Sequence, residues 1–129
     1  MELVRAIYAA WERGDWGDAW WAAPAIEFVF ADGPDQRTIT GLEAMSLGWR
    51  DFLAAWRDYA VAAEQFRELD GGRVLVLLRA TGQGKASAAD IAPGGERGAN
   101  IFAIAEGAVT RLAIYFDHRH ALDDLGLEA

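Results

Sequence analysis

The chain has no cysteine, two histidines, three prolines and one lysine among its 129 residues. Without cysteine there is no disulfide scaffold, no thiol nucleophile and no thiolate metal site. Two histidines are too few for a His-rich zinc site, so no metal is expected. No apolar run approaches the roughly 20 residues that span a bilayer, which excludes a membrane partner. The opening Met1-Glu2-Leu3-Val4-Arg5 lacks the basic-then-apolar order of a signal peptide, so a cytoplasmic location is expected. Twenty acidic against twelve basic residues give a net charge of −8, which argues against nucleic acid as a partner. No GxGxxG follows a strand and no phosphate loop is present, so no cofactor is expected.

What the chain does contain is a large apolar inventory: 53% hydrophobic residues, 12% aromatic, with six tryptophans. That suffices for one domain over residues 1–129. Eleven arginines against one lysine, with abundant alanine, suggest a GC-rich bacterial gene.

Glu2 to Arg13 reads as a helix, with Leu3, Val4, Ile7, Tyr8 and Trp11 at helical spacing and Gly14 as its stop. Asp15 is placed to cap a second short helix that carries Trp16, Ala19, Trp20 and Trp21 up to Pro24. Ile26 to Phe30 reads as a strand closed by the turn Ala31-Asp32-Gly33-Pro34. A third helix opens at Thr40-Gly41-Leu42-Glu43, which has capping-box spacing, and runs through Met45, Trp49, Phe52, Leu53 and Trp56. Strands follow over Tyr59–Leu69, Arg73–Arg79, Asn100–Ala105 and Val109–Phe116, with hairpin turns at Asp70-Gly71-Gly72 and Glu106-Gly107. Gly82 to Gly98 reads as a strand end and loop, and His118 to Leu125 as a short terminal helix. Helices first and strands afterwards indicate an α+β fold: a curved antiparallel sheet with three N-terminal helices on its concave face. Such a cone leaves an open end that aromatic side chains can line.

The succession of motifs resembles the NTF2-like superfamily and, within it, the SnoaL-like proteins. The resemblance rests on Glu2-Leu3-Val4-Arg5 through Tyr8, Gly14-Asp15, Pro24-Ala25-Ile26-Glu27-Phe28 and Gly41-Leu42-Glu43-Ala44. It continues through Asp70-Gly71-Gly72-Arg73 to Leu77, Gly82 to Ser87, Glu106-Gly107, Leu112 to Asp117 and Ala121-Leu122 before Leu125-Gly126-Leu127. It implies the cone fold and a homodimer formed through the sheet, burying the Ala113/Tyr115 face. The superfold hosts isomerases, cyclases, dehydratases, epoxide hydrolases and non-catalytic binders, so it does not assign an activity.

By similarity to ketosteroid isomerases, Asn100 takes about the position of a buried acid that donates a hydrogen bond to an enolate oxygen. An amide can donate that bond too. The competing reading is an asparagine that satisfies backbone at a strand end. The helix-one tyrosine of that family falls nearest Ile7, with Tyr8 one residue away. Its catalytic base falls near Val29, and the acid/base aspartate of SnoaL-type cyclases near Ile114.

Parity along the strands groups Asn100 with Phe102 and Ile104, and Leu112 with Ile114 and Phe116. The expected pocket is therefore Tyr8, Trp20, Trp56, Phe102, Ile114 and Phe116, with Asn100 and Glu27 as the candidate catalytic groups. Two orientations are open for Glu27. If it shares the pocket with Val29 its pKa rises and it serves as base or acid; if Ile26, Phe28 and Phe30 face the helices, it points outward. Asp32, before Gly33, reads as turn chemistry; Arg79 reads as a sheet-surface partner of Glu27 or Glu64, or as a group that binds an anionic ligand. His118 and His120 cluster with Asp117 and Arg119 past the last strand, where exposure is the ordinary reading and proton transfer the sharper one. Three functions follow: a cofactor-free proton-transfer enzyme for a small apolar substrate, a non-catalytic binder of such a molecule, or a structural domain whose exposed sheet face pairs with a twin.

Overall fold

The first helix, α1 (Glu2–Glu12), buries Val4, Ile7, Tyr8 and Trp11, the i, i+3, i+4, i+7 stripe that its sequence spells. Each such side chain stabilises the fold by roughly 1.5–3 kcal/mol through removal from water. The computed structural model describes residues 2–15, 20–32, 36–54, 56–84 and 96–127. The expected second helix and the loop after β4 fall largely outside the described residues.

The further elements are β1 (Ala22–Phe30), β2 (Arg37–Thr40), α2 (Leu42–Ala54), β3 (Trp56–Leu69), β4 (Arg73–Gly84), β5 (Glu96–Ala105), β6 (Ala108–Tyr115) and α3 (His118–Leu125). The strands form one six-stranded sheet in the order β2-β1-β6-β5-β4-β3. The sheet is mixed rather than purely antiparallel: β1 runs parallel to β6, with Phe28 opposite Leu112 and Phe30 opposite Ile114. β2, which the sequence pattern does not announce, pairs antiparallel on the outer side of β1.

Bulges bend the sheet. Register shifts interrupt β3 between Ala63 and Gln65, and the β5–β6 pair between Ala103 and Ile104. At the first of these the Glu12 carboxylate accepts the Ala63 N–H at 3.2 Å, tying the end of α1 to β3. The turn at Asp70-Gly71-Gly72 needs glycine: Gly72 has φ +73, and a Cβ there would stand 2.8 Å from the Ile104 carbonyl oxygen. The cap of α2 is Gly41, whose carbonyl accepts the Met45 N–H, so the chain enters the helix one residue later than a Thr40/Glu43 capping box requires. α2 ends at Ala54, and Trp56 opens β3 instead of extending the helix.

The two faces of the sheet carry separate apolar clusters. Ile26, Phe28, Phe30, Val74, Val76, Leu78, Phe102, Leu112 and Ile114 pack with α1 and α2 on the inner face. Val29, Leu75, Ala99, Ala113 and Tyr115 pack with Ala121 and Leu122 of α3 on the other. The three described helices therefore divide between the faces, two N-terminal ones inside and the C-terminal one outside. The Ala113/Tyr115 face, expected to meet a twin chain, is covered by this chain's own α3.

α3 is firmly ended. Asp117 caps it by accepting the Arg119 N–H at 3.0 Å. At the other end Gly126 (φ +68) donates to Asp123 O and Leu127 donates to Leu122 O, a Schellman pair. No helix among the described residues is long and apolar enough to cross a membrane.

Candidate functional site

Two polar residues are buried among the described residues, Asn100 and Asp32, and they lie in different surroundings. Asn100 sits on the inner face of β5, opposite Val76 on β4 and Ile114 on β6. Its Nδ2 donates to the Tyr8 hydroxyl at 2.5 Å. The i, i+4 spacing of Val4 and Tyr8 turns the Tyr8 ring inward from α1, and its hydroxyl reaches the middle of the sheet. The residue that meets Asn100 is thus Tyr8, not Ile7.

Rings enclose this pair. Tyr8 meets Trp11 at 5.1 Å, Phe66 at 5.8 Å and Phe102 at 5.9 Å between ring centroids, all edge-on. Trp11 stacks on Trp49 at 5.6 Å, and Trp49 on Phe52 at 5.6 Å. Phe52 stacks in turn on Phe116 at 5.9 Å, and Phe116 on Phe30 at 6.3 Å. Trp49, Phe52, Phe66 and Phe116 remain partly exposed, so the ring array runs from a buried polar pair outward to an accessible rim.

Asn100 itself keeps 5% of its surface exposed. No fully buried side-chain nitrogen or oxygen among the described residues lacks a partner. The amide oxygen of Asn100 takes no part in the bond to Tyr8. The bond also polarises the phenol: a hydroxyl that accepts from an amide becomes a stronger donor. The pair sets an amide and a phenol among apolar rings.

Of the expected site residues, Tyr8, Asn100, Phe102, Ile114 and Phe116 share this inner face. Trp20 does not belong to it: 60% exposed, it stands in water. The side chain of Trp56 lies outside the described residues. Glu27 is exposed on the opposite face, because Ile26, Phe28 and Phe30 take the inner side and strand alternation sends Glu27 outward. Val29 also faces outward, against Ala113 and Tyr115. The inward positions of β1 on either side of it are Phe28 and Phe30, neither of which carries a proton-transfer group.

Asp32 has a different role from the turn chemistry its sequence suggests. Its Oδ1 accepts the Phe116 N–H at 2.6 Å, and its Oδ2 accepts the Asp117 N–H at 3.0 Å and faces His120 Nδ1 at 2.7 Å. It clasps the end of β6 and the first turn of α3 to the end of β1. The hydrogen bond to Asp32 raises the His120 pKa, against desolvation. His118 points elsewhere, its Nδ1 3.3 Å from the Arg97 carbonyl. Residues two apart on a helix lie about 200° apart around its axis, which separates the two imidazoles. Arg79 pairs with Glu64 at 3.5 Å, which also holds Arg97 at 3.6 Å. Asp117 is held well below the usual carboxylate range by hydrogen bonds from the Arg119 side chain and backbone. No three histidine, aspartate or glutamate residues among those described group closely enough to hold a metal ion.

Sequence reasoning missed Trp11, Trp49 and Phe66 as neighbours of the polar pair. Their helical or strand spacing marks them as core, but spacing does not tell a core ring from one that walls a chamber.

The helix-lined bent sheet is the NTF2-like fold. Solved structures agree. An NTF2-like protein of Burkholderia thailandensis superposes with a TM-score of 0.76 at 20% identity, covering 96% of this chain and 95% of that one. A hypothetical protein of Catenulispora acidiphila with a ketosteroid isomerase-like fold, solved with trimethylamine, gives 0.69 at 21% identity, covering 98% and 94%. Bal32a, from a soil-derived mobile gene cassette, gives 0.72 at 19% identity, covering 95% and 92%. Within this fold the chain belongs to the SnoaL-like domain family, whose sequence profile matches residues 4–112. A search of curated proteins finds no match.

Proposed function

We propose that this SnoaL-like domain holds a small, apolar, ring-bearing molecule on the inner face of its sheet, oriented by one oxygen atom against Tyr8 and Asn100. The observation that carries this reading is the 2.5 Å bond between those two side chains amid aromatic rings. Polar groups set among rings orient a guest through its oxygen, while the rings take up its apolar body. The flat ring faces of Trp49, Phe52 and Phe116 favour a planar guest.

Non-catalytic binding is the better supported form of this function. Glu27 lies on the other face, and both histidines are engaged away from Asn100. The enzymatic form, cofactor-free proton transfer, is supported by the phenol of the pair: a Tyr8 O–H turned toward a guest would stabilise an enolate oxygen.

2-Naphthol supplies a planar guest with one oxygen, and the tryptophans of the ring array supply a fluorescence signal. Saturable quenching is expected, weakened about tenfold in Tyr8→Phe and in Asn100→Leu, the worth of one hydrogen bond. Equal affinity in all three proteins would remove the pair from the site. Deuterium exchange into 2-tetralone in heavy water separates the two forms: acceleration abolished by Tyr8→Phe would establish proton transfer, and the uncatalysed rate would leave binding. Pairing of two copies through the sheet is also a proposal, read by sedimentation at micromolar concentration.

A further inference from the structure

The outer face of the sheet has a hollow of its own, of about 180 Å³, beside the C-terminal half of α3. Ile101, Ala103 and Ala113 floor it, Arg73 and Arg111 flank it, and Tyr115 with Asp124 close one end. The register explains its shape. Arg73 on β4 and Arg111 on β6 are both opposite Ala103 on β5. Their Cα atoms are then roughly 10 Å apart, twice the spacing of neighbouring strands, with only a methyl group between them.

What sets these two arginines apart is their shared place over Ala103. Arg79 and Arg97 share Glu64, and Arg119 is bound to Asp117 at 2.8 Å. Among the described residues neither Arg73 nor Arg111 has a carboxylate in ion-pair range; Arg73 donates from Nε to the Asp70 carbonyl at 3.2 Å. Asp124 is engaged by the Tyr115 hydroxyl at 2.7 Å. Glu27 is the register neighbour of Arg111 on β1, on the side away from Arg73. In a protein of net charge −8, two guanidiniums flanking one apolar floor are a specific arrangement.

We infer that this hollow binds a small aromatic monocarboxylate, its ring on the Ile101/Ala103/Ala113 floor and its carboxylate forked between Arg73 and Arg111. Planar guanidiniums match carboxylates through paired N–H donors. The size fits as well, since an apolar cavity of about 150 Å³ holds a benzene ring. An inorganic anion leaves the floor unused, and a neutral ring leaves both arginines unused. The site is separated from the Tyr8/Asn100 chamber by the thickness of the sheet, so it goes beyond the function proposed above.

Benzoate is the probe, followed through the methyl NMR signals of Ile101, Ala103 and Ala113 on the outer face and of Ile7 and Ile26 on the inner one. Saturable shifts confined to the outer methyls are expected, with benzyl alcohol and inorganic phosphate each at least about tenfold weaker. Arg111→Gln is expected to weaken benzoate about tenfold, the loss of one charged hydrogen-bonded contact. Glu27→Gln is expected to tighten it about threefold by removing a competing carboxylate. Arg111→Lys, which keeps charge and stem but not the fork, covers the case in which the glutamine variant does not fold, and should weaken benzoate several-fold. Unchanged affinity in the folded arginine variants overturns the inference, as do shifts only at Ile7 and Ile26 or equal binding of phosphate. A sedimenting dimer that Arg111→Gln dissociates, with no benzoate shift in the monomer, would assign the arginines to a second copy and overturn it too.

Discussion

The Tyr8 phenol and the Asn100 amide, 92 residues apart in the chain, meet at 2.5 Å where α1 crosses the sheet. This contact fixes the rotation of α1 over β5 as well as the polar centre of the chamber. Tyr8→Phe leaves a buried amide unpaired and should cost about 1–3 kcal/mol, as should Asn100→Leu. The double variant should be less destabilised than the sum of the two, because it removes both groups that need partners. Urea denaturation of the four proteins measures the coupling.

The Asp32–His120 clasp makes stability depend on pH. The His120 pKa is raised in the folded protein above its ordinary value of 6.5 by its bond to Asp32. Its contribution is then fully present below that ordinary value and is lost as pH rises through the folded value. Thermal unfolding from pH 5.5 to 9 should show Tm falling across this window, and His120→Gln should flatten the slope. An unchanged slope would mean that the imidazole adds nothing to the clasp.

Tyr115 supplies a spectroscopic marker for the docking of α3. Burial first, and then the hydrogen bond and charge of Asp124, push its phenol up to about 12. Asp124→Asn should bring the tyrosinate absorbance step down in pH, though not to the free value, since burial remains. Tyr115→Phe should cost about 1 kcal/mol of stability, the worth of one hydrogen bond.

Gly71 and Gly72 share one turn and a positive φ, but only Gly72 has a backbone oxygen, 2.8 Å away, where a Cβ would stand. Gly71→Ala should cost about 1 kcal/mol from backbone strain, and Gly72→Ala about 2–3 kcal/mol because the strand pairing at Ile104 must also yield. Chemical denaturation of the two variants orders them.

Much of the inner face is legible from alternation alone. Asn100, Phe102, Ile114 and Phe116 fall on it as their parity requires, and α1 turns Tyr8 toward them by its 3.6-residue period. Partnership is not legible in this way. Nothing in Ala22–Phe30 states that its neighbour is Ala108–Tyr115, since a strand's pattern reports which side is buried and not what lies alongside. The same gap explains Glu27, whose side depended on whether the phenylalanines or Val29 met the helices. β2 has four residues, of which Ile39 alone is even partly buried, too little for a pattern. Asp32 beside Gly33 looks like any turn; its three donors come from residues some 85 positions later, which local sequence does not reveal.

The parallel seam between β1 and β6 has a consequence for synthesis. During translation Ile26, Phe28 and Phe30 emerge well before Ala108–Tyr115, the strand that shelters their edge. Until then β1 has only the short β2 to lean on, and its greasy side is a target for chaperones or for other nascent chains. Loop-closure cost over that span also predicts slow, late consolidation of the sheet. A chain cut before Ala108 would lack the strand that lies between β1 and β5, so Ala22–Phe30 and Ala108–Tyr115 stand or fall together.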